Sequence, residues 1–406
     1  MVSVCFYFQV HQPFRLKKYS IFDIGNSNYF NEKTSIKLNN EAILRKVSNK
    51  CYLPANKLML DLIKEHNIKV SYSLSGVALE QFEKYYPEVI TSFQELVDTG
   101  NVEILSETYY HSLSYIFSKE EFKEQINLHK KKINYLFNTT PKIFRNTELI
   151  YNNEIGKFIE NLGYSGILSE GWDYYLKWRS PNFVYTPKGC SNIKLLMKNY
   201  KLSDDIAFRF GEKTWKEWPL TSEKFSQWVN AVNGNGDCVN LFMDYETIGE
   251  HQWESTGIFD FLKKFPGELL KNKDNDFKTP SEIIKRYSPK DEVDVPHLMS
   301  WADVERDVSA WLGNQMQKEA ISKLYSVEKL IKRNSNKDLL DAWRKMQTSD
   351  HFYYMCTKWF NDGDVHKYFN PYDSPYEAFI TFMNVFNDLS IRLKKEEVIL
   401  SGKKSS

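Results

Sequence analysis

Residues 1–260 alternate short apolar runs with amphipathic stretches, and the apolar runs break off abruptly onto polar groups. Ser3 to Val10 is β-branched and aromatic, which predicts a strand; His11, Gln12, Pro13 and Phe14 follow at once, and Pro13 has no N–H with which to continue a ladder. Residues 15–50 are polar with weak periodicity and read as a long loop. Helical spacing recurs over Leu53–His66, Leu79–Asp98, Lys119–Phe137 and Ile155–Leu162, with Gly100 and Gly163 as stop signals. Between them, Ile68–Leu74, Val102–Leu105, Pro141–Phe144 and Gly166–Leu168 predict strands. Phe183–Thr186 and Ile193–Met197 are further short runs, and Val239–Met243 opens onto Asp244 in the stretch LFMDYETIGEHQW.

Strands alternating with crossover helices imply a mainly parallel sheet, and the strand count suits a closed or nearly closed α/β barrel over residues 1–260. The Lys/Asp-rich texture of residues 261–295 reads as a connector. Within residues 296–406, Trp301–Ile331, Lys337–Met346 and Tyr376–Lys395 predict a C-terminal helical region, and the tail SGKKSS reads as frayed.

A net charge of +1 provides no field to gather nucleic acid or anionic lipid, so a neutral partner is expected. Aromatic residues reach 15%, enough to fill a core and still leave rings for stacking on sugars. The five cysteines are scattered and without a CxxC pair, which argues against a disulfide framework or zinc ribbon and for reduced thiols in a cytoplasmic protein. The first apolar run stops at His11, far short of the ~20 residues a membrane span needs. GxGxxG and GxxxxGK[ST] are both absent, so no nucleotide cofactor is expected.

Four strand ends, at His11, Glu107 to His111, Glu148 and Asp244, present ionisable groups where apolar sequence stops. Each alone also fits an ordinary helix N-terminus or core histidine. In one barrel all four converge on one face, where the chemistry of such barrels sits. Two chemistries can use the set. Glycoside cleavage needs one ionised and one protonated carboxyl, and Glu148 and Asp244 form such a pair. Metal-assisted hydrolysis of the deacetylase kind would use His11, His111, His251 and Asp244 as ligands, although no HExxH or paired-His spacing is present. A glucan-binding protein with a silent pair is a third reading.

HQPF at 11–14, EILSETYYHSL at 103–113, FRNTEL at 144–149, WKEWPLTSEKFSQW at 215–228, MDYETIGEHQW at 243–253 and SWADVERDVSAWLGN at 300–314 resemble, in this order, the motifs of glycoside hydrolase family 57, above all its α-amylase-type members. The resemblance implies an incomplete (β/α)7 barrel followed by helices that close the cleft, and retaining action on α-glucans, hydrolytic or 4-α-glucanotransferase-like, without metal or other cofactor. It implies Glu148 as nucleophile, Asp244 as general acid/base, and sugar contacts from His11 and Glu246. Glu107, Tyr110 and His111 fall in the second motif; Trp172, Trp218, Trp253 and Trp301 are candidate sugar platforms. In the last motif Asp303 or Asp307 is the substrate-contacting acid, with Asp303 preferred. The third motif lacks the Trp-and-Pro form of the family's transferases and branching enzymes. Beside these implied roles, Arg145 can hold Glu148 ionised, and Glu246, Glu250 and Trp253 can raise Asp244; Glu250 and His251 fit a surface role equally well. The DGD of residues 362–364 lacks the other ligands of a calcium loop, and residues 359–379 read as an aromatic loop near the barrel mouth.

Overall fold

In a computed structural model, which describes residues 1–358 and 365–404, seven parallel strands form the barrel. They are β1 (Val2–Val10), β2 (Val70–Leu74), β3 (Val102–Ile104), β4 (Ile143–Arg145), β5 (Gly166–Ser169), β7 (Lys194–Met197) and β8 (Cys238–Asp244), with β6 (Val184–Pro187) antiparallel to β7. Ladders join β8-β1-β2-β3 and β4-β5-β7. Ser106, just past β3, bridges the two sets by pairing with Phe144 of β4. On the remaining side β7 and β8 meet through Asn240, whose Nδ2 donates to the Met197 carbonyl at 2.9 Å while its carbonyl accepts from Asn199 N at 2.9 Å. The barrel is thus incomplete at one seam.

Strand periodicity of two explains the layering. Val4, Phe6, Phe8 and Val10 of β1 face an outer core shared with Val70, Tyr72 and Leu74 of β2 and the helices around them. Cys5 and Tyr7 face the interior, with Leu105, Ile143, Leu168, Leu196 and Phe242. A second outer core lies under the C-terminal helices and includes Trp311, Trp343, Phe352 and Phe382.

Several elements depart from the sequence expectation. The single helix expected over Leu79–Asp98 is two, Gly76–Tyr85 and Glu88–Asp98, split at Pro87, whose ring cannot sit in a helix interior. Residues 15–50 are not all loop: Asn40–Val47 is helical and runs through a wide π-type turn, Ser48–Tyr52, into the helix Leu53–His66. Residues 261–295 are not a tether. They hold the end of the helix Ile258–Leu269, then β9 (Asn275–Phe277) on β1, the helix Pro280–Arg286, and β10 (Glu292–Val293) on β6. Their charge lies on the solvent side, while Phe265, Phe277, Ile283 and Val293 are buried. Trp301–Ile331 likewise begins as irregular chain; Ser309–Leu312, Gln315–Ser326 and Glu328–Arg333 are its helices. The last helix is longer than expected, Pro375–Lys404, and includes SGKK of the tail. No helix among the described residues is long and apolar enough to cross a membrane. All five cysteines are buried and unpaired.

The helical region is clamped to the barrel by buried charge. Glu121, on the helix Lys119–Phe137, accepts from Arg344 Nε at 2.9 Å and from Gln125 Nε2 at 3.0 Å, and its second oxygen lies 2.9 Å from Lys332. Removing one member strands the others without compensation. Glu121→Ala is expected to destabilise the protein by roughly 3 kcal/mol in urea unfolding; a loss below about 1 kcal/mol would show that the two parts hold together without it.

Candidate active site

The inward columns of the strands are apolar in the barrel and turn polar at its upper end. Tyr7 is followed by Gln9 and His11, Leu105 by Glu107, Ile143 by Arg145, Leu168 by Glu170, Leu196 by Lys198, and Phe242 by Asp244. On β2 the same column reads Ser71, Ser73, Ser75. The register Gln9↔Asp244 sets the first and last of these side by side.

Glu148 follows β4 in a tight turn whose backbone is left-handed at both Glu148 (φ 56°) and Leu149 (φ 50°). Its carboxylate is 21% exposed and engaged on both oxygens. Trp301 Nε1 donates to Oε2 at 2.8 Å; His111 Nε2 lies 3.3 Å and Ser349 Oγ 3.5 Å from Oε1. His111 Nδ1 is bound in turn to Glu107 at 2.9 Å, and Gln9 Nε2 donates to the other Glu107 oxygen at 3.0 Å. Arg145 is fully buried, its guanidinium 5.0 Å from the Trp301 ring centre, with no hydrogen-bond partner on any nitrogen. It acts on its surroundings as charge. Lys198 Nζ approaches the same ring at 5.2 Å.

These contacts separate the two carboxyls electrostatically. Burial works to raise Glu148, but the His111 hydrogen bond and charge, Arg145 and the Trp301 N–H outweigh it and hold the group below its usual value. Asp244 opens to the cleft by area, yet the protein enclosing it withdraws bulk water. That enclosure first, and the Glu148 charge second, push Asp244 up to about 6 against the opposing pull of Arg145 and His111. The cause differs from the sequence expectation: Glu250 is turned away to Lys46 and Lys50, and Trp253 stands 59% exposed with Lys50 Nζ 5.4 Å from its ring. Glu246 is buried and raised to about 8 by burial and by Asp244; the Tyr52 hydroxyl donates to it. Burial works to raise Glu107, but its hydrogen bond to His111 and the charges of His111, His129 and Arg145 outweigh that and bring it down to about 2, while His111 is raised to about 9 between Glu107 and Glu148.

The other candidates are dispersed. Tyr110 is buried with Phe14 and Val77 in a small apolar cluster. Trp172 is half-buried against Tyr174 and Tyr175. Trp218 is 43% exposed, and Trp215 packs edge-on against Trp228. Asp303 pairs with His366 at 2.9 Å and Lys358 at 3.4 Å, whereas Asp307 accepts from Ser309 N at the start of a short helix. His251 is half-buried beside Phe369, ring centres 5.3 Å apart, which places the helix Val365–Phe369 against the segment carrying Glu246. The DGD at 362–364 lies outside the described residues. His11 and His111 each have both ring nitrogens engaged. Among the described residues no three His, Cys, Asp or Glu side chains are placed to share a cation.

Sequence reasoning missed Lys198, Ser75, Tyr52, Ser349 and Asp350. Lys198 and Ser75 were recoverable from the alternation of their strands. Tyr52 sits on the π-type turn, and Ser349 and Asp350 come from the helical region, so no local pattern announces them.

Its relatives place this barrel among carbohydrate-active enzymes of the glycosidase class. The chain belongs to glycosyl hydrolase family 57, whose model matches residues 5–296. It is 43% identical over 404 residues to a Methanocaldococcus jannaschii protein named provisionally as an alpha-amylase, covering 97% of this chain and 85% of that one. A Pyrococcus abyssi alpha-amylase is 25% identical over 259 residues, which is 62% of this chain but only 38% of that longer protein. Among solved structures, a family 57-type branching enzyme of Pyrococcus horikoshii superposes with a TM-score of 0.70 at 14% identity, covering 97% of this chain and 94% of that one. The 4-alpha-glucanotransferase of Thermococcus litoralis gives a TM-score of 0.65 at 17% identity, over 86% and 56% respectively.

Replacing Arg145 by methionine removes a cation that favours the ionised form of both carboxyls, so both pKa values should rise. Carboxyl-carbon NMR titration of Arg145→Met is expected to move Glu148 and Asp244 upward by about one pH unit; unmoved titrations would remove Arg145 from this role.

Proposed function

We propose that this chain is a retaining glycosidase of α-1,4-linked glucans, with Glu148 attacking the anomeric carbon and Asp244 protonating the departing glycosidic oxygen. The observation that carries the reading is the electrostatic division of the pair: Glu148 is held ionised by His111, Arg145 and Trp301, while Asp244 is raised by enclosure and by Glu148 itself. A nucleophile must be a carboxylate and an acid must hold its proton, and these environments provide one of each. Once Glu148 is glycosylated its charge is gone, the main electrostatic support for the Asp244 proton goes with it, and Asp244 becomes the base that activates the incoming hydroxyl.

Whether water or a second sugar takes that place separates hydrolysis from chain transfer. The exposed rings of Trp253 and Trp218 support a platform for the chain beyond the cleaved bond. The solvent-accessible Trp172 side and the Asp303 group bounded by His366 and Lys358 are the other sugar-facing candidates. The five buried unpaired thiols support a cytoplasmic location.

Glu148→Gln and Asp244→Asn are each expected to abolish turnover of a maltooligosaccharide with the fold intact by circular dichroism, and a fluorinated glucosyl donor should add one sugar mass to the peptide containing Glu148. Near-normal turnover in either variant removes that residue from its role. The carboxyl groups should lie about 5–5.5 Å apart in a substrate complex, and a separation of roughly 6.5–9.5 Å would indicate inversion instead. Activity should fall as pH rises past about 6, where Asp244 loses its proton, and fall again in acid below the usual carboxylate range, where Glu148 gains one. A pH profile of kcat/KM with no alkaline limb near 6 would overturn the assignment of Asp244.

A further inference from the structure

Lys198 stands one position past β7 in the layer of buried charge, and at 5% exposure it is too enclosed for a sugar to reach. Burial works against its charge, but Asp204 and Glu170 overcome that and raise the ammonium above the ordinary lysine value, so it is a cation. Its Nζ donates to Asp204 Oδ1 at 2.9 Å, on the helix Tyr200–Ala207, and stands 3.8 Å from Glu170 Oε2. The strands are drawn together to allow this. A Cβ on Gly171 would run into the Lys198 carbonyl oxygen, so glycine is what lets the chain past β5 close on the end of β7.

The ammonium also lies over the Trp301 ring, 5.2 Å from its centroid, and the Arg145 guanidinium lies 5.0 Å from the same centroid. Both distances fall inside the ~6 Å over which a cation is held by the face of an indole. Trp301 is the residue whose Nε1 donates to Glu148 Oε2 at 2.8 Å. It is carried on a loop, not on a strand. The loop backbone is fixed by three contacts: Met299 bridges Tyr151, Ser300 N donates to the Arg306 carbonyl at 2.9 Å, and Trp301 N donates to the Glu148 carbonyl at 3.3 Å. None of these sets the direction in which the indole N–H points, which depends on what the ring itself meets. It meets the interior core and the two cations.

We propose that Lys198 is a positioning residue for the nucleophile: together with Arg145 it holds the Trp301 indole by cation–π attraction at the angle from which Nε1 reaches Glu148, and Asp204 holds the ammonium in place. Lys198 itself touches neither the substrate nor Glu148. It acts at one remove, through the ring, so its effect depends on an indole N–H being there to aim. The proposal rests on the reading of Glu148 as nucleophile given above.

The test uses the full chain and a 4-nitrophenyl α-maltoside, whose good leaving group makes nucleophilic attack, not protonation, limit the rate. Lys198→Met should lower kcat about 10- to 30-fold, the worth of a desolvated cation–π contact, with KM little changed. Lys198→Arg, which keeps a cation that can lie on an indole, should recover most of that loss. In a Trp301→Phe background Lys198→Met should cost nothing further, because the N–H it aims is gone. A second readout needs no turnover: in 15N-labelled protein the Trp301 indole cross-peak, identified by its loss in Trp301→Phe, should move upfield in Lys198→Met as the bond to Glu148 lengthens. If Lys198→Met does not fold, Asp204→Asn leaves the lysine present but unanchored and should shift the same peak in the same direction. An unmoved indole peak overturns the proposal, as does an unchanged kcat in Lys198→Met or an equal loss with and without the indole. If Glu148→Gln keeps near-parent turnover of the aryl maltoside, the nucleophile reading falls instead, and that failure is visible before any Lys198 variant is made.

Discussion

Charge buried at the top of the barrel is the constraint on which the rest depends. The inward columns deliver Glu107, Arg145, Glu170, Lys198 and Asp244 to one level, and Glu148 joins them from its turn. A lone ion there costs several kcal/mol; a set of alternating sign is tolerable because each member lies in the field of the others. Glu170 shows how closely this is balanced. Burial raises it, while Lys198 and Arg306, each 3.8 Å away, pull the other way. Arg145 fits the same picture from the opposite side: its guanidinium makes no hydrogen bond, yet acts on Glu107, Glu148 and Asp244 at once.

From this layer the division of labour between the two central carboxyls emerges without any group being individually unusual. Both are enclosed, and enclosure alone would raise both. The histidine and the indole N–H both hydrogen-bond Glu148, so it ionises first, and its charge then opposes ionisation of Asp244. Glu246 extends the sequence one step further, raised in turn by Asp244.

Much of the barrel was readable because strands with a period of two expose their faces in the residue pattern. The run FYFQVH already separates the outward Phe6, Phe8 and Val10 from the inward Tyr7 and Gln9, and VNLFMD does the same for Asn240, Phe242 and Asp244. Charge texture is ambiguous over residues 261–295, which read as a connector yet carry lysines and aspartates on one side of elements whose other side is core. Proline was underweighted at Pro87. What could not be read is whatever joins distant segments. Nothing local to TSDHF indicates that Asp350 meets His11 339 residues away, and nothing in SNKCY indicates a π-type turn that carries Tyr52 to Glu246.

The left-handed backbone at Glu148 recurs at His111, two residues of the site in mutual contact and in a conformation L-residues avoid. Each such position costs on the order of 1–2 kcal/mol and persists because its surroundings over-determine it. For anyone selecting this protein for heat resistance, these are the positions where glycine or asparagine would relieve the backbone, and each would do so by removing a side chain the site is built from. Thermal robustness and function therefore compete at the same few residues, and stabilising changes that leave the site intact have to come from the outer cores and the helical clamp.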